Sequence, residues 1–523
     1  MMTSPVAPEQ VHIYDTTLRD GAQQEGLRLS VADKLRIAGL LDELGVSHIE
    51  GGWPGANPND TAFFQAAAER LTLRNAQLVA FGATRKAGVR AADDPQVAGL
   101  RDAGTDLICL VAKSHDRHVE QALRTTLDEN LEMVRDTVTH LVGEGKRVFV
   151  DCEHFFDGFL ENRTYALEVV RAAAEAGAEV VILCDTNGGM LPSRMGDIVS
   201  AASAIGVDLG IHCHNDTGCA VANSMAALEA GAMHVQGTIN GYGERTGNAD
   251  LTTVVANLQL KYGWDVLGGR GLESLTRISH TISDITNQSP QMRQPYVGRS
   301  SFAHKAGLHA SAIRVDPNLY QHVDPDLVGN HMRMLISDMS GRANVLIKAE
   351  ELGIELSDRA AAARVADRIK QREAEGYSYE SADASFELLL RDELGSLTKP
   401  FVVDTWTVST THAADGEGDS TATIHLGEQT YESIGNGALN ALDAALRDAL
   451  VGDHPAVQHY RLVDYRVRIV EQEHGTDSVV RVLIDTVNEQ ETWTTVGVGT
   501  NVVEASWEAL SDAYLYGLVK HYA

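Results

Sequence analysis

Apolar and polar positions follow two rhythms along the first 255 residues. Short runs with strand character stand at 12–14, 46–50, 77–81, 107–111, 147–151, 180–184, 209–212 and 234–238. Between them lie stretches whose apolar residues recur every three or four positions. In "SVADKLRIAGLLDELG", Leu35, Ile37, Leu40, Leu41 and Leu44 share one helical face. Ser30 can cap the start of that helix and Gly45 can end it. Strand and helix alternating through eight beats predict a (β/α)8 barrel of the α/β class. A doubly wound parallel sheet is the competing arrangement.

The rhythm changes further on. Residues 249–262 read as the last barrel helix, and helix continues through 272–286. The segment 289–325 then breaks periodicity while carrying His304, His309 and Tyr320. So long a stretch without regular pattern is either an interdomain linker or an arm that reaches over a barrel mouth. Helical patterns return at 341–375 and 378–390. From about Pro400 the pattern alternates as strands do, in "FVVDTWTVSTT" and "TATIHLG". A duplication is visible there. "GNGALNALDAALRDAL" (435–450) resembles "GVGTNVVEASWEALSDAY" (497–514), each following strand-like segments. The expected division is a barrel at 1–285, an arm with helical linker subdomains at 286–395, and a duplicated α+β domain at 396–523.

Composition narrows the function classes. The 523 residues carry 73 acidic against 43 basic side chains, a formal charge of -30. That balance argues against nucleic acid or an anionic membrane surface as a partner. No apolar stretch is long enough to span a membrane, and "MMTSPVAPEQ" has no signal-peptide pattern. The 5 cysteines match neither a zinc module nor a disulfide framework, so a reducing cytoplasm is expected.

The chemistry sits at strand ends. In "VDLGIHCHNDTG", His212 and His214 are two apart on a strand and point the same way. Cys213 between them points away and reads as structural. Paired imidazoles at the C-terminal edge of a barrel strand suit a divalent metal. The first strand leads into "YDTTLRDG", which supplies Arg19 and Asp20; Asp15 there reads as a turn acceptor. Polar residues recur at the same end of other strands: Glu50, Arg85, Asp151, Glu153, Asp185, Thr186 and Asn240 among them. One carboxylate and two imidazoles leave open positions on an octahedral ion, which the carboxylate and keto oxygens of a 2-oxoacid can fill. Oxygen ligation permits magnesium or manganese, and the imidazoles permit zinc. Arg19 can pair with the same oxygens. A small apolar pocket after the third and fourth strands, including Leu110, would read the oxoacid side chain.

These motifs resemble the isopropylmalate, homocitrate and citramalate synthase family. The resemblance rests on "YDTTLRDGAQQEG" (14–26), "HCHNDTG" (212–218) and "GTINGYGERTGNADL" (237–251). "IEGGWPGANPND" (49–60) and "CDTNGGMLP" (184–192) look most like its citramalate branch, and "FAHKAGLHASA" (302–312) resembles the family's catalytic arm. The resemblance implies metal ligation by Asp20, His212, His214 and Asn248. It implies an oxoacid clamp at Arg19, a substrate-carboxylate contact at Thr186, a glutamate near the acetyl group at Glu153, and acid/base roles for His309 and Tyr320. One departure stands out: "SDMSGR" (337–342) has Met339 where many members carry histidine.

The implied reaction is an aldol-Claisen condensation by an acyltransferase that turns the acyl group into alkyl. Acetyl-CoA and pyruvate would give (R)-citramalate and coenzyme A, feeding isoleucine synthesis. 3-Methyl-2-oxobutanoate, giving 2-isopropylmalate, is the alternative oxoacid. A metal-dependent hydroxy-oxoacid lyase is the alternative reaction, and a noncatalytic metabolite-binding protein the remaining one. The resemblance further implies a homodimer and an amino-acid inhibitor held by the C-terminal domain.

Overall fold

The computed structural model describes residues 11–356, 358–412, 418–470, 478–489 and 491–522. Eight strands close a barrel in sequence order: β1 (His12–Asp15), β2 (His48–Gly52), β3 (Gln77–Ala83), β4 (Leu107–Lys113), β5 (Arg147–Glu153), β6 (Val180–Asp185), β7 (Asp208–Cys213) and β8 (His234–Gly237). All pair in parallel, and β1 meets β8 with His12 opposite His234. Closure rules out the doubly wound sheet, whose edges stay open.

The first long helix shows why the helices start and stop where they do. Over Val31–Leu44, Ser30 and Asp33 form a reciprocal capping box. Gly45 then adopts the left-handed conformation and returns its N–H to Leu41 and Asp42. Ile37, Ala38, Leu41 and Leu44 are buried on the barrel side.

Alternation along the strands builds two cores. Outward residues such as Ile13, Ile49, Ala80, Leu110, Val150, Leu183 and Ile211 pack with the helices. Inward residues form a second cluster of Tyr14, Val79, Phe81, Leu107, Cys109, Phe149, Val180, Ile182 and Cys184. The interior is therefore a packed plug, open for chemistry only at its ends.

The chain divides into two compact units. The barrel unit runs to Phe302 and takes in Val323–His331, with Phe302 and Val328 buried in its core. The second unit comprises Ala303–His322 and everything from Met332 on. In that unit the helical pattern at 341–375 resolves into two helices, Arg342–Glu351 and Arg359–Ala374. Left-handed Gly353 stops the first, and the Asp358 carboxylate caps the second by accepting from the amides of Ala360 and Ala361. A third helix, Asp383–Glu393, adds Phe386 and Leu390 to a core with Val345, Val365 and Ile369.

The duplication is structural. Antiparallel strands Thr405–His412, Gly418–Leu426 and Gln429–Gly435 precede helix Ala438–Leu450. Strands Arg461–Ile469, Val480–Val487 and Thr492–Gly499 precede helix Val502–Tyr522 in the same order. Each helix covers one face of its sheet: Leu442 and Leu446 share a core with Ala422 and Ile424, as Ala509 and Leu510 do with Val482 and Ile484. Among the described residues, no helix is long and apolar enough to cross a membrane.

Candidate active site

The C-terminal strand ends bring Asp20, His212 and His214 together. Asp20 Oδ2 lies 3.4 Å from His212 Nε2 and 3.8 Å from His214 Nε2, and all three residues are buried. Donor atoms about 3.0–3.4 Å apart are what one ion at about 2.1 Å from each would need. Burial lowers both imidazoles, His214 to about 4, so each offers a neutral ring nitrogen. Burial acts to raise the Asp20 carboxyl, but Arg19 and the two histidines outweigh it and hold Asp20 below its ordinary value.

Asn248 stands beside this set, bridged to His214. Its Nδ2 donates to the Tyr242 carbonyl at 3.1 Å, while its Oδ1 is buried and accepts no hydrogen bond. A buried acceptor left without a donor is a costly arrangement unless a ligand satisfies it. The glycines of "NGYGERTGNAD" place Asn248 here. Gly247 has φ +91, and a Cβ on it would stand 1.9 Å from the Gly241 carbonyl oxygen. The tight turn lets Asn248 fold back and pair with His214 as an isolated bridge. Two imidazoles and a carboxylate thus fit a divalent cation, and the unpartnered Asn248 oxygen is a further candidate donor beside them.

Behind the set lies a buried polar chain. His212 Nδ1 meets Gln236 Oε1 at 2.8 Å, and Gln236 Nε2 donates to Asp151 Oδ1 at 2.9 Å. With its amide nitrogen so engaged, Gln236 can only accept from His212. That fixes the proton on Nδ1 and leaves Nε2 free to ligate. Burial first, and then the neighbouring Glu50 carboxyl, push Asp151 up to about 7. Arg19 is anchored on the same inner surface. Its Nε donates to Glu50 Oε1 at 2.5 Å, its Nη1 lies 3.3 Å from Asp20 Oδ2, and its guanidinium sits 3.9 Å above the Phe81 ring. Tyr14 donates to the other Glu50 oxygen. Burial opposes the charge on Arg19, but Glu50, Asp20 and Asp151 hold its pKa above the ordinary arginine value. Asp15 takes the turn: its carboxylate accepts from the Thr17 amide and hydroxyl at 2.8 and 2.9 Å.

On the next strands, Glu153 forms an ion pair with Lys113, its register partner across β4 and β5. His154 follows in a left-handed conformation with φ 59. Its amide donates to Thr186 Oγ1 at 2.8 Å, so the Thr186 hydroxyl proton is left to donate elsewhere. Arg245, which sequence reasoning passed over, joins three loops: its guanidinium pairs with Asp216 at 2.8 Å and donates to the Thr186 carbonyl at 2.8 Å.

Leu110 does not line the mouth. It is fully buried among the residues packed between strands and helices. Its register partner Gly82 points the same way, and a Cβ there would meet Leu100 of helix Pro95–Arg101. The period-two rule puts Cys109 and Val111 inward instead, so the expectation was off by one residue. His309 and Tyr320 lie in the second unit, where their rings stack at 4.1 Å and 28°. Gln236 could have been found by the same parity argument, since β8 carries His234 and Gln236 on its inner face.

Three family models match successive parts of the chain. The HMGL-like family model matches residues 10–282, the homocitrate synthase post-HMGL domain-like model 296–376, and the LeuA allosteric (dimerisation) domain model 380–518. The chain is 59% identical to an (R)-citramalate synthase of Streptomyces coelicolor, over 98% of this chain and 97% of that one. It is 46% identical to an (R)-citramalate synthase of Aquifex aeolicus, over 98% of each. A probable 2-isopropylmalate synthase of Methanopyrus kandleri is 32% identical, over 96% of this chain and 97% of that one.

Proposed function

The chain belongs to the isopropylmalate/homocitrate/citramalate synthase family, within the HMGL-like group, and from that premise we propose that it condenses acetyl-CoA with pyruvate. The products are (R)-citramalate and coenzyme A. The observation that carries this choice is the full-length likeness: 59% identity to an (R)-citramalate synthase against 32% to a probable 2-isopropylmalate synthase.

We assign the work as follows. Asp20, His212, His214 and Asn248 would hold a divalent ion (magnesium, manganese or zinc), which would supply Lewis acidity toward the bound oxoacid. Arg19, already fixed by Glu50, turns its remaining N–H groups to the keto oxygen, where negative charge develops. The Thr186 hydroxyl donates to the oxoacid carboxylate. Glu153 stands toward the acetyl group.

A base removes one methyl proton of acetyl-CoA, and the resulting carbanion equivalent attacks the keto carbon of pyruvate. One carbon–carbon bond forms, and the keto oxygen takes a proton to become the tertiary hydroxyl. Water then cleaves the thioester, releasing coenzyme A and the second carboxylate. The arm pair His309 and Tyr320 serves these proton transfers. The C-terminal duplicated domain joins two chains into a homodimer and takes a feedback amino acid. A cytoplasmic location suits the thiol chemistry.

The test is release of free thiol from acetyl-CoA, measured separately with pyruvate and with 3-methyl-2-oxobutanoate. Faster release with pyruvate is expected. No release with any oxoacid would refute the synthase reading, and faster release with 3-methyl-2-oxobutanoate would refute the choice of pyruvate.

A further inference from the structure

The end of β2, Gly51-Gly52, and Trp53 just after it are held by a buried ion pair that the chemistry above does not use. Lys34 and Asp60 are 2% and 6% exposed. Lys34 Nζ lies 2.5 Å from Asp60 Oδ1 and donates to the Gly51 carbonyl at 2.9 Å. The other Asp60 oxygen accepts the Trp53 amide at 2.9 Å. Gly52 has φ +136, and a Cβ on it would stand 2.4 Å from the Asp60 carboxyl carbon. Burying two charges is unfavourable unless their hydrogen bonds are well met, and here two of them go to this one segment.

The residue so fixed is Trp53. Its ring meets Phe81 edge-on at 5.7 Å and 87°, and Phe81 in turn lies under the Arg19 guanidinium. Trp53 and Val111 are the partly buried residues packed against the barrel's inner cluster. The indole Nε1 is buried and has no hydrogen-bond partner. Tryptophans that bury this group ordinarily pair it. A rigid ring beside the Arg19–Phe81 stack, with its donor unmet, is shaped for a small ligand that brings an acceptor.

We propose that Trp53 is a specificity-determining residue, forming a wall of the 2-oxoacid pocket and donating its indole N–H to an oxygen of the bound oxoacid. Lys34 and Asp60 are positioning residues that hold the ring in place. The inference rests on the synthase reading above, which supplies the oxoacid. A fixed wall limits the side chain next to the keto group, where each extra methylene alters discrimination by roughly 10–200-fold.

Two variants test it, assayed by thiol release with pyruvate and with 3-methyl-2-oxobutanoate on one preparation. The ratio of kcat/KM values is then independent of the fraction of folded enzyme. Trp53→Ala should lower the preference for pyruvate at least about tenfold. Trp53→Phe keeps the bulk and loses the donor. It should retain the preference while raising KM for pyruvate about tenfold, with KM for acetyl-CoA unchanged. Pyruvate should also quench wild-type tryptophan emission, and this quench should vanish in Trp53→Phe. An unchanged ratio in Trp53→Ala, with an active wild type, would overturn the wall alone. A Trp53→Phe variant that raises KM for acetyl-CoA instead would overturn the assignment of the donor. An inactive wild type would overturn the synthase reading and this inference together.

Discussion

At the mouth of the barrel His212 and His214 face Asp20; at its floor His48 and His234 face aromatic rings. Both pairs are buried, and burial lowers all four imidazoles. The floor pair starts β2 and β8 and packs against Phe149, with ring centroids 5.4 and 5.3 Å away, while Tyr14 lies 4.9 Å from His234. His48 Nδ1 and both nitrogens of His234 have no hydrogen-bond partner. No carboxylate joins them in a ligand-spaced group among the described residues. The mouth pair differs in three respects: the Asp20 carboxylate, the Gln236 acceptor that fixes one tautomer, and the unmatched Asn248 oxygen. Burying imidazoles is therefore common to both ends, and it is the surrounding acceptors that make one of them a candidate metal site.

The sharpest way to break this contrast is to remove one histidine from each end. His212→Ala should cut thiol release by on the order of 10³, equivalent to about 4 kcal/mol of lost transition-state stabilisation. His234→Leu should leave turnover within about threefold, since it replaces an unpaired buried polar group by an apolar one of similar size. Equal losses in both variants would mean that the two ends do not differ as described. Gln236→Leu sharpens the contrast by removing only the group that orients His212. Metal affinity should fall roughly 10–100-fold, read by titration, while the fold is retained.

The smallest effect concerns the floor and is read in stability. Burial, then His12 and Arg147, lower His48 from 6.5 to about 3 in the folded chain. The unfolded chain thus binds the extra proton between about pH 6.5 and pH 3. The stability that neutral His48 confers is full above pH 6.5 and is lost as pH falls toward 3. The slope is at most about 1.4 kcal/mol per pH unit for this one group. In His48→Leu, the fall of Tm between pH 6 and pH 4 should be shallower than in the wild type. An identical fall would show that His48 takes up its proton without unfolding.

Much of this was legible in the residues, and the parts that were not share a cause. Period-two spacing set His212 and His214 on one side of a strand. The same rule, applied from Cys109, would have turned Leu110 outward and Val111 inward. Short apolar runs also located the eight strands closely, because inward and outward positions are both apolar in a packed barrel. Contacts made by distant strand ends were hidden: Arg19 with Glu50 spans 31 residues, and Gln236 with Asp151 spans 85. No local pattern encodes such pairs. Asn248 came only from resemblance, since a glycine turn, not a strand or helix period, returns it to His214. Trp53 stood in a noted motif, but the role proposed for it depends on a ring met edge-on from another strand.

The most direct measurement is the count of manganese ions bound tightly per chain, followed by electron paramagnetic resonance of free Mn²⁺. Wild type and His234→Leu should each bind one ion per chain, and His212→Ala should lose it. One tight ion retained in His212→Ala, or lost in His234→Leu, would contradict the placement of the metal at the mouth.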